Sequence, residues 1–450
     1  MVCSLQSSFP NSGSKKRNTS ATLATRAIIA FLLVMLFLVQ SYLIYSLFTS
    51  QIPGGNDFYS RWRGTRALLL ENKDPYSEEV TLEIQEGMFG RAARGDEDQV
   101  AFAYPLYVSL FIFPLAFLPY PQAQALWLSG LVFLTLATVI MLLRTLHWRP
   151  SAGGLLALSL WCLLLYPTAR SIVLGQFTIL VLALVASALW AIERGWDLLA
   201  GCSLALATIK PQMVFLLIPF LLLWALLWRR YRILGGFLAV MGVLLLLPSF
   251  ILPAWIPSFL GGLSRYQAYT NIYTGSRSPL GILFDFLFPS QLSSWATLLI
   301  SLLLGGYTIY KWVQALRGRG DILQTILLTI IITLLLPVQT GTTNQVLLLL
   351  PFLLLFRVMR ERYDVPPLIT SLLQAILLLG PWVLFIVTLG PAKADQLGRL
   401  EHPIMFVPLP MAALIALLAI RRGRLSSGTI GGHSIERLAS SALPNPDHVT

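Results

Sequence analysis

Residues 27–49 read AIIAFLLVMLFLVQSYLIYSLFT, a run without a single charged residue. A helix that crosses a bilayer needs ~20 mostly apolar residues, and this run supplies them. Lys15, Lys16, Arg17 and Arg26 precede it. The run is too long for the apolar region of a cleavable signal, so it reads as a signal anchor with its N-terminus inside. Working outward, further apolar segments fall near 121–143, 152–168, 176–192, 198–209, 212–228, 233–252, 293–312, 323–337, 345–357, 367–389 and 404–420. The sequence therefore predicts an all-α, polytopic transmembrane bundle of about twelve spans.

Composition agrees. Of the 450 residues 56% are hydrophobic and 12% charged, where a soluble domain carries about 25% charged. The net charge of +12 does not point to nucleic acid, because the basic residues sit in short clusters between apolar runs. Arg144/Arg149, Arg194, Arg229/Arg230/Arg232, Lys311/Arg317/Arg319, Arg357/Arg360/Arg362 and Arg421/Arg422/Arg424 fall on alternate loops. With the tails they place 20 of the 32 Lys and Arg on the side of both termini, the mark of a cytoplasmic face. Residues 1–26 and 425–450 read as disordered cytoplasmic tails around a membrane domain at 27–424. The segment Tyr104–Leu118, between Pro105 and Pro119, breaks this parity if it spans and reads as a re-entrant helix.

The opposite, extracytoplasmic face holds most of the remaining polar residues. A first loop, 50–103, contains ten of the twenty Asp and Glu and looks helical over 58–70 and 77–94, lying on the membrane surface. A second large loop covers 253–292, with Arg265, Arg277 and Asp285. Cys162 and Cys202 lie in apolar runs and Cys3 in the tail, so neither a disulfide framework nor a metal site is expected. There is no P-loop, no dinucleotide glycine pattern and no Cys/His ligand spacing; no cofactor is called for.

Several residues stand out against this background. Asp57, just past the first span, is either a general base at the outer interface or the N-cap of the helix that begins at Phe58. Lys210 ends an apolar run at Lys210-Pro211-Gln212. An ammonium at such a break suits a lipid-linked phosphate, or else the side chain snorkels to the interface. Arg170 and Gln176 flank a shorter outer connection and either join that site or mark a helix boundary. The stretch 337–345, dense in hydroxyls and amides and including Asn344, reads as sugar recognition or as turn chemistry. His402 is the only histidine on the outer side, so a histidine-centred site is not expected.

Taken in order, Asp57-Phe58, Ala67 with Leu68–Leu70, Asp74-Pro75-Tyr76, Phe102-Ala103-Tyr104-Pro105, Gly175-Gln176-Phe177-Thr178 and Lys210-Pro211-Gln212 resemble glycosyltransferase family 87. Leu106 stands where that family commonly has a second proline, and Thr178 where it often has Asn. The resemblance implies a GT-C-like membrane fold and a polyprenyl-phosphate-sugar-dependent hexosyltransferase, with mannose the commonest sugar. It also implies a catalytic Asp at position 57 and a cavity open to the membrane. The expected scheme is inverting transfer. Asp57 is the base, Lys210 and Arg170 hold the donor phosphate, and Gln176, Gln212, Tyr104 and Asn344 bind substrate. The partners would be the lipid-linked donor, membrane lipids and a lipid, glycan or protein acceptor, at the plasma membrane with the active site outside. A transporter or flippase of a lipid-linked sugar is the competing expectation, although such carriers usually show repeated halves and none is evident.

Overall fold

The computed structural model describes residues 13–52, 57–95, 98–274, 278–337, 341–389 and 401–420, and among these the chain is helical with no strand. Helix α1 (Gly13–Ile44) carries the opening apolar run and closes in a π-turn, Tyr45–Thr49. It begins inside the segment 1–26 read as a disordered tail; residues 425–450 lie outside the described residues. The loop that follows holds α2 (Phe58–Glu71) and α3 (Glu78–Phe89), close to the expected bounds. Ser77 starts α3 by accepting from the backbone N–H of Val80, and Asn72 and Gly90 end the two helices in left-handed geometry.

A 3-10 turn at Leu106–Val108 leads into α4 (Ser109–Ala116). The combined apolar unit, Leu106–Ala116, rises only ~16 Å, about half of a bilayer's hydrocarbon core. Helix α5 (Tyr120–Thr145) follows, then α6 (Ala152–Leu164) and α7 (Tyr166–Val173), which meet at a 62° bend. Leu165 leaves helical geometry there (ψ 130°), with Pro167 in the first turn of α7. The chain continues through α8 (Thr178–Arg194), α9 (Asp197–Ala207), α10 (Leu217–Leu227) and α11 (Tyr231–Ile251). Next come α12 (Trp255–Thr274), α13 (Pro279–Leu287), α14 (Ser290–Leu316) and α15 (Ile322–Leu335). A 3-10 segment, Thr342–Leu348, opens α16 (Leu349–Glu361), and α17 (Pro367–Thr388) and α18 (Pro408–Ala419) close the described fold.

Each of the twelve apolar segments of the sequence is thus helical, but they differ in length. Among the described residues six helices are long and apolar enough to cross a membrane, seven if α6 and α7 form one broken span. Five further apolar helices are shorter. The chain is a helical membrane protein.

Burial sorts these helices by position. Every residue of α15 is buried, and its hydroxyls are satisfied inside the helix. Thr325, Thr329 and Thr333 donate to the carbonyls of Asp321, Thr325 and Thr329 at 2.7–2.8 Å. At the other extreme, the most apolar windows of α1, α14 and α17 are only 6%, 11% and 11% buried, leaving the apolar surface that a bilayer would cover. Helix α9 packs on α11 at two glycines. A Cβ on Gly201 would stand 2.0 Å from the Ile233 carbonyl oxygen, and one on Gly236 2.5 Å from that of Leu198. The two backbones are in contact, and that contact anchors the helix whose end presents Lys210.

Candidate functional site

The site is assembled at three chain breaks. At the first, Asp57 precedes α2 with helical dihedrals (φ −67°, ψ −17°) and makes no side-chain cap. The capping alternative therefore falls away, and the carboxylate turns elsewhere. At the second, Gly175 joins α7 to α8 with φ +67°, a conformation that favours glycine. A Cβ there would lie 2.6 Å from Phe58 Cβ. The close approach lets the Phe58 N–H donate to the Leu174 carbonyl (3.2 Å) and the Trp127 indole donate to that of Gly175 (2.8 Å). The Phe58 and Trp127 rings stack at 5.1 Å behind it. This wedge sets Gln176 beside Asp57.

The third break lies between α9 and α10. Lys210 is extended (φ −130°, ψ 76°) and Pro211 begins a 3-10 turn, Pro211–Met213. The Tyr107 hydroxyl donates to the Thr208 carbonyl (2.9 Å), fixing the end of α9. Lys210 is 6% exposed, so it does not snorkel. Its Nζ donates to Gln176 Oε1 (3.1 Å), while Gln176 Nε2 donates to Asp57 Oδ2. The Tyr104 hydroxyl reaches the same Gln176 Oε1 at 3.5 Å. One carboxamide therefore bridges an acid and a base on separate segments, its N–H end toward the carboxylate and its oxygen toward the ammonium.

Asp57, Tyr104, Gln176, Lys210 and Gln212 line one cavity of about 420 Å³. Ser60, Arg61 and Asp98 add polar groups, and Met88, Ile209, Phe259, Leu263 and Phe406 add apolar surface. Arg61 was not singled out in the sequence. Four residues after Asp57, it lies one helical turn along. Its guanidinium sits 4.5 Å from the Tyr104 ring centroid and donates to the Asp57 carbonyl and to Ser60 Oγ (2.9 Å). The i, i+4 spacing was the signal that could have found it.

Arg170 and Asn344 are not among the residues lining this cavity. Arg170 Nε pairs with Glu401 at 2.9 Å, and the same Glu401 oxygen accepts from the Tyr166 and Thr342 hydroxyls, both at 2.6 Å. Asn344 is buried in the 3-10 segment Thr342–Leu348. Gln345 Nε2 donates to the Phe406 carbonyl (3.1 Å), so this polar stretch ties the neighbouring loops together, with Gly341 and Phe406 on the cavity wall. Asp285 accepts from Ser293 and His402 Nδ1 from the Ile404 N–H (3.3 Å); neither lines the cavity. Arg277 and residues 338–340 lie outside the described residues. Among the described residues no three His, Cys, Asp or Glu are grouped as metal ligands would be.

No curated protein and no solved structure matches the chain. A family model does match. It spans residues 102–286, which include Tyr104, Arg170, Gln176, Lys210 and Gln212 but neither Asp57 nor Asn344. That match to the model of glycosyltransferase family 87 supports the assignment of the chain to this family, and with it a glycosyltransferase activity.

Proposed function

We propose that the protein moves a hexose, mannose in the first instance, from a polyprenyl-phosphate sugar to an acceptor hydroxyl on the extracytoplasmic face, with inversion at the anomeric carbon. The observation that carries this reading is the Asp57–Gln176–Lys210 bridge on the wall of a single cavity. Asp57 takes the proton as the acceptor oxygen attacks C1. The bond between C1 and the phosphate oxygen breaks, its electron pair leaves with polyprenyl phosphate, and the acceptor–sugar bond forms on the opposite face. A phosphate leaves without a proton donor when cations stabilise it, so one carboxylate suffices, whereas glycoside hydrolases use two. Lys210 is one such cation. Arg61, rather than Arg170, is the second, because it lines the cavity and Arg170 does not. Gln176 holds base and cation in a common frame, and Tyr104 and Gln212 border the space for sugar. The apolar wall formed by Phe259, Leu263 and Phe406 suits the first isoprene units of the donor.

The membrane frame of this proposal is a GT-C-like bundle at the plasma membrane with both termini cytoplasmic. About twelve segments cross or enter the bilayer, Leu106–Ala116 as a re-entrant element, and the loop 50–103 is extracytoplasmic. The basic-loop pattern of the sequence supports the orientation, and the half-length of Leu106–Ala116 supports the re-entrant reading.

The test uses purified wild type, Asp57→Asn and Lys210→Ala in detergent with radiolabelled polyprenyl-phosphate mannose and a membrane-lipid extract. Asparagine can still accept from Gln176, so Asp57→Asn keeps donor binding and loses transfer by ~10²–10⁴-fold. Lys210→Ala loses donor affinity. Wild-type transfer by Asp57→Asn would sink the catalytic assignment. Donor binding by wild type without transfer to any acceptor would favour a carrier.

A further inference from the structure

A second cavity, about 540 Å³, opens on the far side of the segment 98–103. That segment has no regular secondary structure and turns at Phe102, where the Ala103 N–H donates to the Ala101 carbonyl (3.0 Å). Asp98, Val100 and Ala103 line the cavity of the bridge, Gln99 and Phe102 line the second, and Ala101 lines both. Helix α12 repeats the division, with Phe259 and Leu263 on the first cavity and Gly262 and Arg265 on the second. Two separate elements therefore form a common partition, and the chambers adjoin.

The two linings differ in chemistry. The second carries Ser77, Glu78, Thr81, Gln85, Gln99 and Arg265, a set rich in hydroxyl, amide and single charged groups. Among the described lining residues the two charges, Glu78 and Arg265, are of opposite sign, unlike the paired cations that a phosphate would draw on. Tyr76 and Phe102 add aromatic surface, their rings edge to face at 5.3 Å. Hydroxyl and amide partners beside aromatic faces recognise a neutral, polyhydroxylated chain rather than a lipid tail or an anion. The volume falls within the ~300–1,000 Å³ of small-molecule sites and has room for more than one sugar ring.

We infer that this second cavity is an acceptor subsite that holds the inner sugars of a glycan and delivers its terminal hydroxyl past Ala101 to Asp57. The inference rests on the glycosyltransferase reading above and assigns its acceptor to the carbohydrate class. A glycolipid headgroup and a free oligosaccharide share the chemistry in question.

Two measurements test it on the full-length protein in detergent. The first asks about occupancy. Thr81→Cys, with Cys3 and Cys202 replaced by serine and the buried Cys162 kept, is labelled with a maleimide. Mannotriose, maltotriose, cellotriose or a glycolipid-containing membrane extract is then added. Slowing of the labelling by about fivefold or more with any of them supports the subsite. Protection by a trisaccharide points to a free glycan, and protection by the extract alone to a glycolipid. Labelling at the unprotected rate with every probe overturns the proposal, whether or not the protein transfers sugar. The second measurement asks about use. Thr81→Trp, which fills the cavity, raises the acceptor KM by about tenfold or more while the donor Kd stays within about twofold. Glu78→Gln, a milder change at an exposed residue, moves KM in the same direction. An unchanged acceptor KM in both variants, with wild type active, overturns the subsite and spares the transferase. Absence of wild-type transfer overturns the transferase and leaves the subsite to the labelling result.

Discussion

Arg61 and Arg170 illustrate how far a single side chain's role depends on where its neighbours bring it. Both are arginines near a candidate site residue, yet one faces the cavity and the other completes an ion pair with Glu401. Arg61→Ala is expected to weaken donor binding by about tenfold or more, since a charged partner of a phosphate is lost. Arg170→Ala is expected to leave donor Kd within about twofold. It should lower the thermal midpoint instead, because the half-buried Glu401 loses its charged partner at a cost of about 1–3 kcal/mol. Donor titration and thermal unfolding of the two variants separate the roles. That the sequence points to Arg170 and leaves Arg61 unmarked has a plain cause. Asp57, Tyr104, Gln176, Lys210 and Gln212 were legible because each stands at a break in an apolar run, where polar groups must serve some purpose. Glu401 lies more than two hundred residues from Arg170, and no local pattern announces that contact.

Among the elements, the α7–α8 junction governs the site most directly. Gly175→Ala combines a disfavoured left-handed dihedral, ~1–2 kcal/mol, with a Cβ pressed to 2.6 Å from that of Phe58. Relief of the contact moves Gln176 away from Asp57. Misplacement of about 1 Å at a reacting group costs ~10²-fold in rate, so kcat should fall by roughly that factor while the protein still folds. Gly153→Ala, in α6, where an added Cβ meets nothing within 4 Å, is the control and should match wild type. A loss in both, or in neither, would remove Gly175 from the mechanism. At this scale the sequence was informative about where helices lie and less so about how far each runs. Residues 152–168 form one apolar segment, yet Leu165 breaks it into two helices at 62°. Helix α15 is as apolar as a span but is buried on every side. Hydrophobicity alone does not separate a lipid-facing helix from one enclosed by protein.

Across the whole molecule, stability depends on pH through the charges that join α2 to α3. Arg63 makes a bidentate pair with Glu71 (2.8 Å for both bonds) and also holds Glu83, which Lys73 approaches at 2.7 Å. The hydrogen bonds from Arg63 hold the Glu71 carboxyl below its ordinary range, against the opposing effect of burial. A depressed carboxylate contributes stability that is complete above its unfolded pKa and disappears as pH falls through the folded value. The contribution of this cluster to the thermal midpoint is therefore expected to be flat near neutrality and to fall modestly below about pH 4. Glu71→Gln should be less stable than wild type at neutral pH and show a shallower acid slope. Equal slopes would mean that other carboxylates dominate. Added salt weakens the contribution, since the pair is part-exposed. The apolar segments were readable as helices because each is a long run of residues almost without charge. The partition between the two cavities was not, because residues 98–103 carry no helical or strand period. That partition is a short irregular stretch that turns at Phe102, and Ala101 borders both chambers. Ala101 is consequently under tighter constraint than its neighbours. A bulky side chain at Ala101 would intrude on both chambers at once, whereas substitutions at Gln99, Val100 or Phe102 would alter only one.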